Sequence, residues 1–117
     1  MSYKWPPKDP DEKLDYSIDW SRFLGDQTIS TNPRIAWFIN DADGVKTAAT
    51  FGQDVTVDGL LSKGVLQTQT DTVATIRLEG GTLNKTYKIT CQMTSAPNGL
   101  VSERTVTLRI KENSYGL

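Results

Sequence analysis

The run LDYSIDW, residues 14–20, alternates without a break: Leu14, Tyr16, Ile18 and Trp20 are apolar, while Asp15, Ser17 and Asp19 are polar. Successive side chains of a strand point to opposite faces, so this run makes one greasy face and one wet face. The same period returns four times. Ile35, Trp37 and Ile39 share a face in RIAWFIN (34–40), and Ala74, Ile76 and Leu78 in TVATIRLEGG (72–81). Tyr87, Ile89, Cys91 and Met93 do so in TYKITCQMT (86–94), and Val106, Leu108 and Ile110 in ERTVTLRIKE (103–112). No window holds apolar residues at helical spacing over three turns. The expected fold is all-β, an antiparallel sandwich of about five to seven short strands.

The separators are turn chemistry. LGDQ follows the first strand, NDADG the second, and EGG and APNG bracket the strand before last. Asn, Asp, Gly and Pro tolerate or pre-set the backbone angles that turns need. The Ala96–Leu100 loop should make the last two strands a hairpin. Residues 47–72 are the least patterned part, with DVTVDG and GVLQTQ as strand candidates, and a small barrel is the alternative architecture.

Size and composition bound the function. A chain of 117 residues fits one domain, and 37% hydrophobic with 23% charged residues is globular. A net charge of −1 provides no general field for nucleic acid or anionic lipid. Histidine is absent, which removes the usual general base and the commonest transition-metal ligand. The single Cys91 permits no internal disulfide and no cysteine-based metal site. No apolar run is long enough to span a membrane, and Met1–Pro10 lacks the apolar centre of a signal peptide, so synthesis and folding in a cytoplasm are expected.

The remaining constellations read as structural. Asp41, Asp43 and Gly44 echo part of a calcium loop but lack the further acid and distal Glu, which favours an Asx turn. Asp9, Asp11 and Glu12 flank Pro10 and read as a solvated run rather than a catalytic pair. Cys91 lies in the apolar register with no histidine to activate it, and reads as a small hydrophobe. Asn84–Thr86 spells a glycosylation sequon that a cytoplasmic chain would not use. Basic residues Lys85, Lys88, Arg104, Arg109 and Lys111 are interleaved with Glu79, Glu103 and Glu112, a weak patch for nucleic acid. Tyr87, at a strand entrance after a glycine turn, has two readings: a core aromatic, or a tyrosine whose hydroxyl ties a loop to the sandwich. No catalytic residue, metal or cofactor is expected, and the protein reads as a non-enzyme.

The leader is of a different kind. Two prolines at 6–7 favour an extended polyproline conformation, and Asp9–Pro10 keeps it extended. Tyr3 and Trp5 are side chains of the type that dominates interfaces. Residues 1–13 therefore read as an extended N-terminal arm and 14–117 as the sandwich. Tyr3, Trp5, Pro6 and Pro7 are the expected arm contacts to a partner protein, with Asp15 and Asp19 as polar contacts on the open face of the first strand. A chain lacking residues 1–13 is expected to keep its fold.

The Trp-Pro leader, the KDPDE run (8–12), LDYSIDW (14–20) and DQTIS (26–30) together resemble the start of small virion structural proteins of tailed bacteriophages. GGTLNKTYKIT (80–90) and RTVTLRI (104–110) are similar to later parts of the same proteins and to immunoglobulin-like modules in general. NPRIAWFIN and the segment 41–69 depart from the pattern. The resemblance implies an immunoglobulin-like sandwich in the virion, acting as a fibre–tail adaptor or a capsid decoration protein. Its partners would be other virion proteins of capsid, tail or fibre, together with copies of itself as a homo-oligomer, and neither nucleic acid nor membrane. An immunoglobulin-like adhesion or carbohydrate-binding module is the alternative.

Overall fold

The computed structural model describes residues 3–41 and 43–112, with the side chain of Tyr3 outside the description. In chain order the strands are β1 (Tyr3–Lys4), β2 (Lys13–Asp19), β3 (Thr28–Ile29), β4 (Ala36–Asn40), β5 (Lys46–Ala48) and β6 (Asp54–Val57). They continue with β7 (Leu60–Lys63), β8 (Thr68–Gln69), β9 (Val73–Gly80), β10 (Thr86–Ala96) and β11 (Val101–Arg109). A single helical turn, α1 (Ser21–Leu24), follows β2, and a 3-10 turn spans Gly64–Leu66.

These strands form two sheets. One runs β1-β11-β10-β4-β5 with β3 pairing the end of β10; the other runs β2-β9-β7-β6 with β8 pairing β9. All pairings between strands are antiparallel except β1 with β11. The orders β11-β10-β4 and β2-β9-β7 match the G-F-C and B-E-D orders of immunoglobulin sandwiches. The sandwich expected from the alternation is thus the observed fold.

The alternating apolar residues build the core. Tyr16, Ile18 and Trp20 from β2 and its end face Trp37, Ile39, Tyr87, Ile89, Met93, Val106 and Leu108 of the other sheet, all buried. Full burial of each such side chain contributes about 1.5–3 kcal/mol. Trp37 lies opposite Cys91 on β10, and Cys91 is a free, buried thiol.

The poorly patterned middle resolves into a hairpin. β6 and β7 are joined by Asp58 and Gly59, both at positive φ (48° and 88°), a two-residue turn whose twist suits paired strands. Of the two strand candidates there, DVTVDG is β6, while GVLQTQ divides into the 3-10 turn and β8. Gly64 holds that 3-10 turn against residues 50–53, because a Cβ there would overlap the Gln53 backbone.

Candidate protein-binding surfaces

The leader lies on its own sandwich. β1 runs parallel to β11, with Tyr3 opposite Val106 and Lys4 opposite Thr107. Trp5 N–H donates to the Thr107 carbonyl at 3.0 Å, Lys8 N–H to Arg109 at 2.9 Å, and Lys111 N–H to Lys8 at 2.9 Å. Pro6 and Pro7 have no N–H to offer, and they occupy the gap between these bonds. The Trp5 ring stacks on Tyr16 with centroids 4.6 Å apart and packs against the core.

The KDPDE run closes this strap. Lys8 is fully buried, and its Nζ donates to the carbonyls of Gly80 at 2.6 Å and Asp9 at 2.9 Å. Burial lowers its pKa below the ordinary lysine value, against the pull of Glu12, Asp9, Glu79 and Asp11. Asp9 and Glu12 form a turn in which Glu12 N–H donates to the Asp9 carbonyl and Glu12 Oε1 accepts from Asp9 N–H. That turn carries the chain from the edge of one sheet to β2 at the edge of the other. Residues 3–8 of the expected arm thus bond to β11 of their own chain. Lys8 had no place among the expected site residues, because nothing in a charged run marks one lysine as the buried one.

The other expected contact residues are placed as follows. Pro6 and Pro7 are exposed on the outside of the strap, and Trp5 is half-buried. The Tyr3 backbone joins β1, while its side chain lies outside the described residues. Asp15 and Asp19 stand on the solvent face of β2. Asp15 accepts from Arg77 Nε at 2.7 Å, and Asp19 Oδ1 accepts from Ser21 N–H at 2.9 Å, which draws the Asp19 carboxyl below its usual range. The strap and β2 bound a groove of about 220 Å³ lined by Trp5, Ser17, Ile18, Asp19 and Arg104, among others. Thus Trp5 and Asp19 meet at one groove, Pro6 and Pro7 lie outside its lining, and Asp15 sits further along β2.

Two loop assignments are decided by hydrogen bonds. Tyr87 Oη donates to the Asp58 carbonyl at 2.5 Å and accepts from Thr82 N–H at 3.0 Å, so the tyrosine ties the β6–β7 turn to the start of β10. Asp41 Oδ1 accepts from Asp43 N–H at 2.9 Å and Val45 N–H at 3.0 Å, the geometry of an Asx turn.

Large apolar side chains outside the long strand runs are exposed, among them Phe23 on α1, Phe51 before β6, Val65 and Leu66 on the 3-10 turn, and Leu100 and Val101 at the β10–β11 hairpin. The Arg34 guanidinium covers the Phe51 ring at 3.5 Å. The alternation hid these residues, since each lies in or beside a turn, outside the long strand runs that carry it.

Residues 8–109, from the buried lysine of the strap to the last residue of β11, match the family model of the podophage GP4 fiber-tail adaptor protein gp77. The chain belongs to this family. It is a structural protein of a phage tail-adaptor type, as the resemblance of its leader and first strand implied. Among curated proteins none matches the sequence. The family match begins at the KDPDE run and takes in strands of both sheets, while β1 and Trp5 precede it.

Proposed function

We propose that this protein is a component of a podophage particle that holds fibre to tail by binding other virion proteins, in several copies and without catalysis. The family match over residues 8–109 carries the reading. The surface supports it: Val65 with Leu66 and Leu100 with Val101 are adjacent exposed apolar pairs, and exposed apolar surface of this kind suits protein contact. Virion partners and sister copies would use separate surfaces: the exposed apolar turns, the outside of the strap with Pro6 and Pro7, and the β2 edge with Trp5, Asp15 and Asp19. Repetition on a symmetric particle lets each contact be small, because linked contacts gain avidity. The chain would be made in the host cytoplasm and taken up into the particle there.

The test is reconstitution with the tail and fibre proteins of the same phage, each offered singly and then together, followed by gel filtration. A ternary complex that needs this chain is the expected result. Binding to the capsid protein alone would replace the adaptor role with decoration. Binding to none of the three, with retention on a carbohydrate array, would replace it with the adhesion-module reading.

A further inference from the structure

β2 is a sheet edge seven residues long, and among the described residues no strand pairs with its outer side. Just past β2, Trp20 N–H bonds the Thr72 carbonyl, and the β2 register pairs Ile18 with Ala74, Tyr16 with Ile76 and Leu14 with Leu78. Even-numbered residues therefore bond β9, and the N–H and C=O groups of Lys13, Asp15, Ser17 and Asp19 point outward. Arg104 Nη1 reaches the Asp19 carbonyl from this outer side at 2.9 Å, and that oxygen retains a second acceptor site. The strap, which in many sandwiches would cover such an edge, pairs with β11 of the opposite sheet instead.

We infer that β2 pairs antiparallel with β2 of a second copy of this chain, about a two-fold axis at Tyr16. Three features of the edge select this occupant and this register. Because only odd residues present backbone groups outward, a two-fold pairing must set odd against odd. Centred one residue earlier, it would face Asp15 with Asp15; one residue later, Asp15 with Asp19 twice. Centred on Tyr16, it sets Lys13 against Asp19 and Asp15 against Ser17, twice each, and brings no like charges face to face. The apolar side agrees. Leu14 is 36% exposed although it lies in the core register of β2. The same axis brings Leu14 of one copy opposite Ile18 of the other, at the groove between Trp5 and β2. Each copy thus fills the other's groove, and both edges are removed from water.

This pairing deepens the multi-copy part of the proposed role and supplies its contact; it does not depend on which virion proteins the sandwich joins. The test is light scattering coupled to gel filtration over a concentration series of the full chain and three variants. Ser17→Pro removes an outward N–H and leaves the β2–β9 ladder intact, and it is expected to give a folded monomer. Lys13→Glu and Asp19→Lys each set like charges opposed at two places, and each is expected to weaken self-association about tenfold. An equimolar mixture of those two variants restores both attractive pairs, so it should recover the dimer that neither forms alone. Circular dichroism confirms folding; were Ser17→Pro to unfold, the charge pair and its mixture decide the matter alone. A wild-type chain that is monomeric throughout, yet still joins tail and fibre proteins, overturns the pairing and keeps the adaptor role. An oligomer indifferent to all three variants overturns it as well, and moves the self-contact to another surface.

Discussion

Two tyrosines at similar depth have opposite energetics. The Tyr87 hydroxyl makes two hydrogen bonds that join the β6–β7 turn to the β9–β10 loop. Tyr87→Phe leaves the Asp58 carbonyl and Thr82 N–H without this partner, and should cost about 1–3 kcal/mol in urea unfolding. The Tyr16 hydroxyl is buried without a hydrogen-bond partner among the described residues. Tyr16→Phe removes a desolvated polar group and should be neutral or stabilising by up to about 1 kcal/mol. Equal losses for both would mean that Tyr16 has a partner after all. Lys8 is the third decisive residue. Lys8→Ala deletes two hydrogen bonds and leaves a hole beside Gly80, so a loss of about 2–4 kcal/mol is expected. An unchanged midpoint would show that the strap is not clasped in solution.

At the scale of elements, the leader behaves as a strand of the sandwich. Removing residues 1–12 deletes the stack of Trp5 on Tyr16, the buried Lys8 and the bonds to β11. The truncated chain should lose about 3–5 kcal/mol, the range for deleting one large core aromatic, and its β11 edge should exchange amide protons faster. Full stability after truncation would restore a free arm. The five alternating runs were legible because each strand buries one face, and period two records that directly. The leader was not, since its pairing depends on backbone groups that leave no mark on side-chain pattern: Pro6 and Pro7 read as a stiff spacer whether or not the flanking residues bond β11. The β6–β7 hairpin had a signal in Asp58-Gly59 between Val57 and Leu60, the usual dipeptide of a two-residue turn. It was obscured because the strands on either side are only four residues each, too short to show a period. Of the site, Trp5 and Asp19 were legible as residue types that meet partners; the groove they share was not, because it forms between two sheets from residues far apart in sequence.

The whole molecule stores a proton-dependent part of its stability in the core. Burial pushes the Cys91 thiol from an ordinary 9.0 up to about 12, and burial with the nearby Glu12 pushes the Tyr16 hydroxyl up to about 12. Both groups are neutral when protonated, so the folded chain keeps protons that the unfolded chain has already released. A raised folded pKa contributes stability that is fully present below the unfolded value and disappears as pH rises through the folded one. Stability should therefore hold level up to about pH 9 and then fall. Cys91 alone would contribute a slope of about 1.4 kcal/mol per pH unit across the window from 9 to 12. Lys8 works the other way, because its pKa is lowered and the unfolded chain is the form that holds the extra proton there. The contribution of Cys91 is separated by comparing the wild type with Cys91→Ala at each pH. The variant pays a constant cavity penalty, and its disadvantage should shrink steadily from pH 9 upward as the wild type loses the protonated thiol. A gap that stays constant to pH 12 would mean that the thiol ionises as freely in the folded chain as in the unfolded one. The two sheets would then open to solvent around β10 far more readily than their packing implies.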